Sequence, residues 1–118
     1  MTRSCMAAAL ALAATPALAQ QPAPRLTDAQ QTLLHCSATF ALVSGRQHAG
    51  DKEALAFPDV TTRGREYFVR ALVQLMDEAG LDHDTVARLV QAEAAQLDSP
   101  DLLKQMPVCL ASLDASKL

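Results

Sequence analysis

The sequence predicts an all-α domain, a small bundle of about four helices closed by one disulfide. Three observations carry this expectation. Apolar residues recur at spacings of three and four over most of the chain after residue 27. No strand-like alternation persists for more than a few residues, and there is no internal repeat. Two cysteines, Cys36 and Cys109, fall on the apolar faces of the first and last helical stretches. The clearest element is residues 63–80, RGREYFVRALVQLMDEAG. At 100° per residue it places Phe68, Leu72, Leu75, Met76 and Ala79 on one face, and Val69, Ala71 and Val73 widen that arc to roughly half the circumference. Thr62 is expected to cap its start, and Gly80 to supply the left-handed residue that ends it. An apolar face this wide needs cover on more than one side.

The elements before it follow in order. Residues 1–19 read as a secretory signal peptide, with Arg3 as the positive region and a short apolar run from Cys5 to Ala14. Pro16 then precedes a small-x-small cleavage site at Ala17-Leu18-Ala19. That run is too short to span a bilayer. Residues 20–26 read as a flexible leader, and 27–118 as a single helical domain. Removal of residues 1–19 takes Arg3 and Cys5 with it and leaves 99 residues at a net charge of −4. No basic stripe and no aromatic platform remain, which argues against a nucleic-acid partner. No second apolar segment is long enough for a membrane span. The remaining even pair of cysteines, in an exported chain, reads as a disulfide. A reactive Cys36 beside His35 is the rival reading. It suffers because neighbours on a helix point about 100° apart.

Thr27-Asp28-Ala29-Gln30 has the form of a capping box and opens a first helix over about residues 28–48, ending near Gly45 or Gly50. Ala29, Leu33, Cys36, Phe40 and Val43 form its stripe, while His35 and Leu42 fall on the outer side. Residues 50–62 lack a period. A short turn at Ala54-Leu55-Ala56-Phe57 is expected to drop Phe57 on the core before Pro58 stops it. After 63–80 comes a helix over about 83–97, capped by Asp82, with the stripe Val86, Leu89, Val90, Ala94 and Leu97. The short connection makes these two helices antiparallel neighbours. Ser99-Pro100-Asp101 signals another helix start. Leu102, Met106, Cys109 and Leu113 then keep one face through Pro107, which should kink that helix or divide it into 100–106 and 107–115.

Four segments together resemble a group of small exported bacterial helical proteins of uncharacterised activity. They are the early Cys-Ser-Ala-Thr-Phe from Cys36, Arg-Gly-Arg-Glu-Tyr-Phe from Arg63, Leu-Met-Asp-Glu-Ala-Gly-Leu from Leu75, and Cys109-Leu110. The resemblance covers about Cys36 to Leu113 and implies no activity, cofactor or catalytic residue. Acid-stress periplasmic chaperones are similar in class, being small, helical and held by one disulfide, but share no motif.

Three places break the amphipathic pattern. Arg65 lies within about 20° of Leu72 on the wheel, and its side chain should lean past the helix start. With Thr61, Thr62 and Gly64 it makes a candidate anion or ligand site at a helix N-terminus. The alternative is a structural pair with an acid of the next helix, Asp98 or Glu93. Glu93 itself falls on the apolar stripe of the third long helix, where it needs a partner or solvent. Asp82-His83-Asp84 has metal-ligand types but no second histidine or cysteine pair at ligand spacing, so no metal is expected, and no cofactor. There is no nucleophile elbow, no haem-attachment motif and no paired-carboxylate motif. The expectation is therefore a non-enzymatic periplasmic binding or interaction module, taking a protein or a small anionic ligand or forming a homodimer. A stress chaperone is the alternative, and an enzyme the least supported class.

Overall fold

The structure is a computed structural model that describes residues 24–117. The signal-peptide reading of 1–19, and most of the leader, lie outside the described residues. All regular structure among the described residues is helical: α1 Asp28–His48, α2 Lys52–Leu55, α3 Thr61–Ala79, α4 His83–Leu97, a 3-10 turn Leu102–Gln105, and α5 Met106–Ala115.

The predicted capping box forms at the head of α1, with Gln30 N–H donating to Thr27 Oγ1 and Thr27 N–H to Gln30 Oε1. The helix ends at His48 with Ala49 as its C-cap, and Gly50 takes φ +80°. Asp51 caps α2, one turn that buries Ala54; Phe57 follows and packs against the core. The crossing loop is held by one buried side chain. Gln47 Nε2 donates to Ala54 O and Pro58 O, and its Oε1 accepts from Val60 N–H. A loop backbone taken from water needs such partners.

α3 starts earlier than expected. Its cap is Val60, whose side chain carries no hydrogen-bonding group, and Thr62 caps nothing. Asp59 takes that role, its Oδ1 accepting from Thr61 N–H at 2.8 Å. Gly80 closes α3 in the left-handed region at φ +64°, and Asp82 caps α4 through Thr85 N–H, as the sequence indicates. The C-terminal segment also departs from expectation. Ser99 Oγ accepts from Asp101 N–H and makes a turn, not a helix start. The division does fall at Pro107, in the first turn of α5, where its missing N–H has no intrahelical partner to lose. The piece before it is 3-10, not α.

α1 is the axis on which α3 and α4 both pack, while α3 and α4 touch one another only lightly. Gln30, at the head of α1, reaches Glu78 near the end of α3 at 3.3 Å, so the two helices are antiparallel. Contacts from His35 to Glu93 and from Arg46 to Asp98 show α4 running with α1. The core gathers Cys36, Phe40, Val43, Val60, Tyr67, Ala71, Leu102, Met106, Cys109 and Leu113. Cys36 and Cys109 are bonded, with Cα atoms 5.2 Å apart, and tie α1 to α5.

The buried face of α3 is rotated from the predicted one. Gly64, Tyr67, Ala71 and Leu75 are buried; Phe68, Leu72 and Met76 are half-buried; Val69 and Val73 are 56% and 47% exposed. Two local facts explain the rotation. A Cβ on Gly64 would stand 3.1 Å from the Phe40 Cβ, so this glycine lets α3 approach α1 on that side. Tyr67 buries its ring edge-on to Phe40, centroids 5.3 Å apart, and pairs its hydroxyl with Ser112 Oγ at 2.8 Å. Leu42 likewise packs against the core instead of facing outward.

Candidate functional site

The start of α3 borders a cleft of about 200 Å³ lined by residues of α1 and α3, including Phe40, Ser44, Thr61, Gly64, Arg65 and Phe68. Three of the five candidate residues, Thr61, Gly64 and Arg65, therefore meet there; Thr62 and Glu93 do not line it. The chain's own carboxylate already sits at this helix end. Hydrogen bonds from the Thr61 side chain and backbone hold Asp59 below the ordinary aspartate range. The openness of Gly64 is taken up by Phe40. Arg65 is exposed.

The structural pairing of Arg65 is not formed. Asp98 pairs with Arg46 at 3.4 Å, and the same guanidinium donates to Ser99 O at 3.0 Å. Glu93 pairs with His35, Oε1 to Nδ1, at 3.0 Å. Both corrections have one cause: α4 packs on α1, so its acids meet α1 partners instead of the α3 arginine.

The His35–Glu93 contact makes a second cluster, in which His35 Nε2 lies 3.1 Å from Gln105 Oε1. Sequence reasoning put His35 on the outer side of α1; the structure covers it with α4 and the 3-10 turn. The signal was present in Glu93, an acid on an apolar stripe that needs a partner, but periodicity does not say which helix supplies one. The Glu93 carboxylate accepts from Nδ1–H, and the Gln105 amide can donate to or accept from Nε2 depending on its orientation. Neighbouring Cys36 is in the disulfide, so it adds no free thiol to this cluster. It joins α1, α4 and the 3-10 turn.

The third feature is an open apolar groove of about 200 Å³ between α3 and α4, lined by Phe68, Val69, Leu72, Val73 and Met76 of α3 and by His83, Val86 and Ala87 of α4. α3 and α4 each pack chiefly on α1 and touch one another only lightly, which leaves this groove between them. On the other side of the Val69–Val73 ridge lies a shallow groove rimmed by Arg70, Gln74, Asp77 and Glu78. A crevice of about 250 Å³ beside the crossing loop is bordered by Gln47, whose amide is spent on loop backbone.

Asp82 is consumed as a cap, and His83 and Asp84 are solvent-exposed, 3.7 Å apart. Among the described residues no three His, Cys, Asp or Glu side chains converge on a metal position, and no helix is long and apolar enough to cross a membrane. Compared with known proteins, the chain matches no family model, no curated protein and no solved structure.

Proposed function

We propose that this chain is an exported, non-enzymatic interaction module that binds an apolar protein surface through the α3–α4 face. The observation that carries the reading is the exposed Val69–Val73 ridge beside the apolar groove. Both valines stand on a well-formed helix and contribute nothing to the core, and contiguous apolar surface of this kind marks association sites. Export is supported by the pattern of residues 1–19 and by the Cys36–Cys109 bond, which suits an oxidising compartment such as the periplasm. Intact mass of the exported protein tests export: it should begin at Gln20.

Binding of an environment-sensitive apolar dye, measured at the lowest workable protein concentration, tests the face. Wild type should bind saturably, and Val73→Asp should remove that binding with the melting temperature unchanged. Equal binding by wild type and variant overturns the reading. An aggregation-suppression assay at acid pH separates a general chaperone, active on any unfolding substrate, from a module with one partner.

A further inference from the structure

We infer that the occupant of the α3–α4 face is a second copy of this chain, docked with its α3 antiparallel. The inference rests on the interaction reading above and names the partner. Arg65, Val69, Val73 and Asp77 stand four residues apart and so form one ridge along α3, spanning roughly 18 Å. All four are exposed, and neither Arg65 nor Asp77 has an ion-pair partner among the described residues.

The order along the ridge is positive, apolar, apolar, negative. That order is self-complementary under a two-fold axis through the level of residue 71. Val69 of one copy then meets Val73 of the second copy, and Arg65 meets Asp77 of the second copy. Both contacts occur twice, as an isologous interface requires. A parallel arrangement would set like charges side by side. The antiparallel one also brings each Asp77 toward the positive N-terminal end of the facing α3. Shape agrees with charge. The ridge is flanked by the apolar groove, so the ridge of each copy has a groove on the other to enter.

Sedimentation equilibrium of the mature protein, with charge-swap variants, tests this. Wild type should sediment at twice the protomer mass, and Val69→Asp/Val73→Asp as a protomer with unchanged helical circular dichroism. Arg65→Asp alone sets a carboxylate against Asp77 at both ends of the interface, and Asp77→Arg alone sets a guanidinium against Arg65 at both ends. Each should raise the dissociation constant at least tenfold. Their equimolar mixture should return to twice the protomer mass. In the mixed dimer the two swapped side chains face one another, and the two native ones do the same, so every charged contact is between opposite signs. Dye binding per protomer should fall as the wild-type concentration rises and the face is covered. A wild type that stays monomeric at millimolar concentration overturns the inference. So does a dimer that survives the double valine substitution, or a mixture that fails to reassociate. If wild type is monomeric yet Val73→Asp still abolishes dye binding, self-association fails and the interaction reading stands. If dye binding is also insensitive to Val73, both fail.

Discussion

Tyr67 shows how much a single side chain decides here. It is not among the residues the helical wheel assigned to the apolar face of α3, yet it is 2% exposed, with its ring on Phe40 and its hydroxyl on Ser112. Burial raises its pKa above the ordinary tyrosine value, partly offset by the Ser112 hydrogen bond. A phenol whose folded pKa is raised contributes stability present below the unfolded value, about 10, and lost as pH rises through the folded value. The chain has one tyrosine and no tryptophan, so phenolate absorbance reads this group alone. Its titration midpoint should lie above that of the urea-unfolded chain, and the melting temperature should fall across the same alkaline range. Tyr67→Phe removes the hydroxyl pair and should cost about 1 kcal/mol in urea unfolding. Gly64 offers a sharper contest. Alanine in a helix interior is favoured over glycine by up to about 1 kcal/mol. Here the added Cβ meets the Cβ atoms of Phe40 and Val60 at 3.1 and 3.3 Å, and both are fixed by their own backbones. Overpacking of this kind costs about 1–3 kcal/mol, so Gly64→Ala should lower the urea midpoint despite its better helix propensity.

At the level of elements, the helix ends obey local rules wherever the capping residue lies next to its helix in sequence. Asp82 is one such cap. Hydrogen bonds from the Thr85 side chain and backbone hold its carboxyl below the ordinary aspartate value. A depressed folded pKa contributes stability present above the unfolded value and lost as pH falls through the folded one, which places the loss below about pH 4. Asp82→Ala should lower the melting temperature at pH 7, and the difference between variant and wild type should shrink as pH is taken down through that range. The start of α3 is the exception. Asp59 serves it from outside the element, across Val60, and the sequence offered Thr62 as the more conventional choice.

For the whole molecule, the disulfide links residues 73 apart in sequence, α1 to α5, through the centre of the core. Closing a loop of that length restricts the unfolded chain by about 4 kcal/mol in the chain-entropy account. For a domain with a total margin of about 5–15 kcal/mol, reduction should lower the melting temperature substantially. Helical circular dichroism at low temperature should persist, because the packing of α3 and α4 on α1 does not depend on the bond. Thermal melts with and without a reductant, begun from protein refolded under each condition, measure both effects. Loss of helicity on reduction would mean that the bundle depends on the bond to fold.

The all-helical class, the spans of α1 and α4, the Thr27 and Asp82 caps, the Gly80 terminus and the Cys36–Cys109 link were legible in the sequence alone. Each rests on local backbone hydrogen bonding, on a repeat of three and four, or on the placing of Cys36 and Cys109 on the apolar faces of the first and last helical stretches. The tertiary structure decided which side of α3 is inside, and thereby left Val69 and Val73 in solvent. It also chose the partners of Arg46, Glu93 and His35, and turned the Gln47 amide onto the crossing loop. The reason is geometric. A helical wheel gives the width of an apolar arc but not the direction from which a neighbour covers it. Here that direction follows from the close approach at Gly64 and from the packing of both α3 and α4 on α1, contacts between residues far apart in the chain.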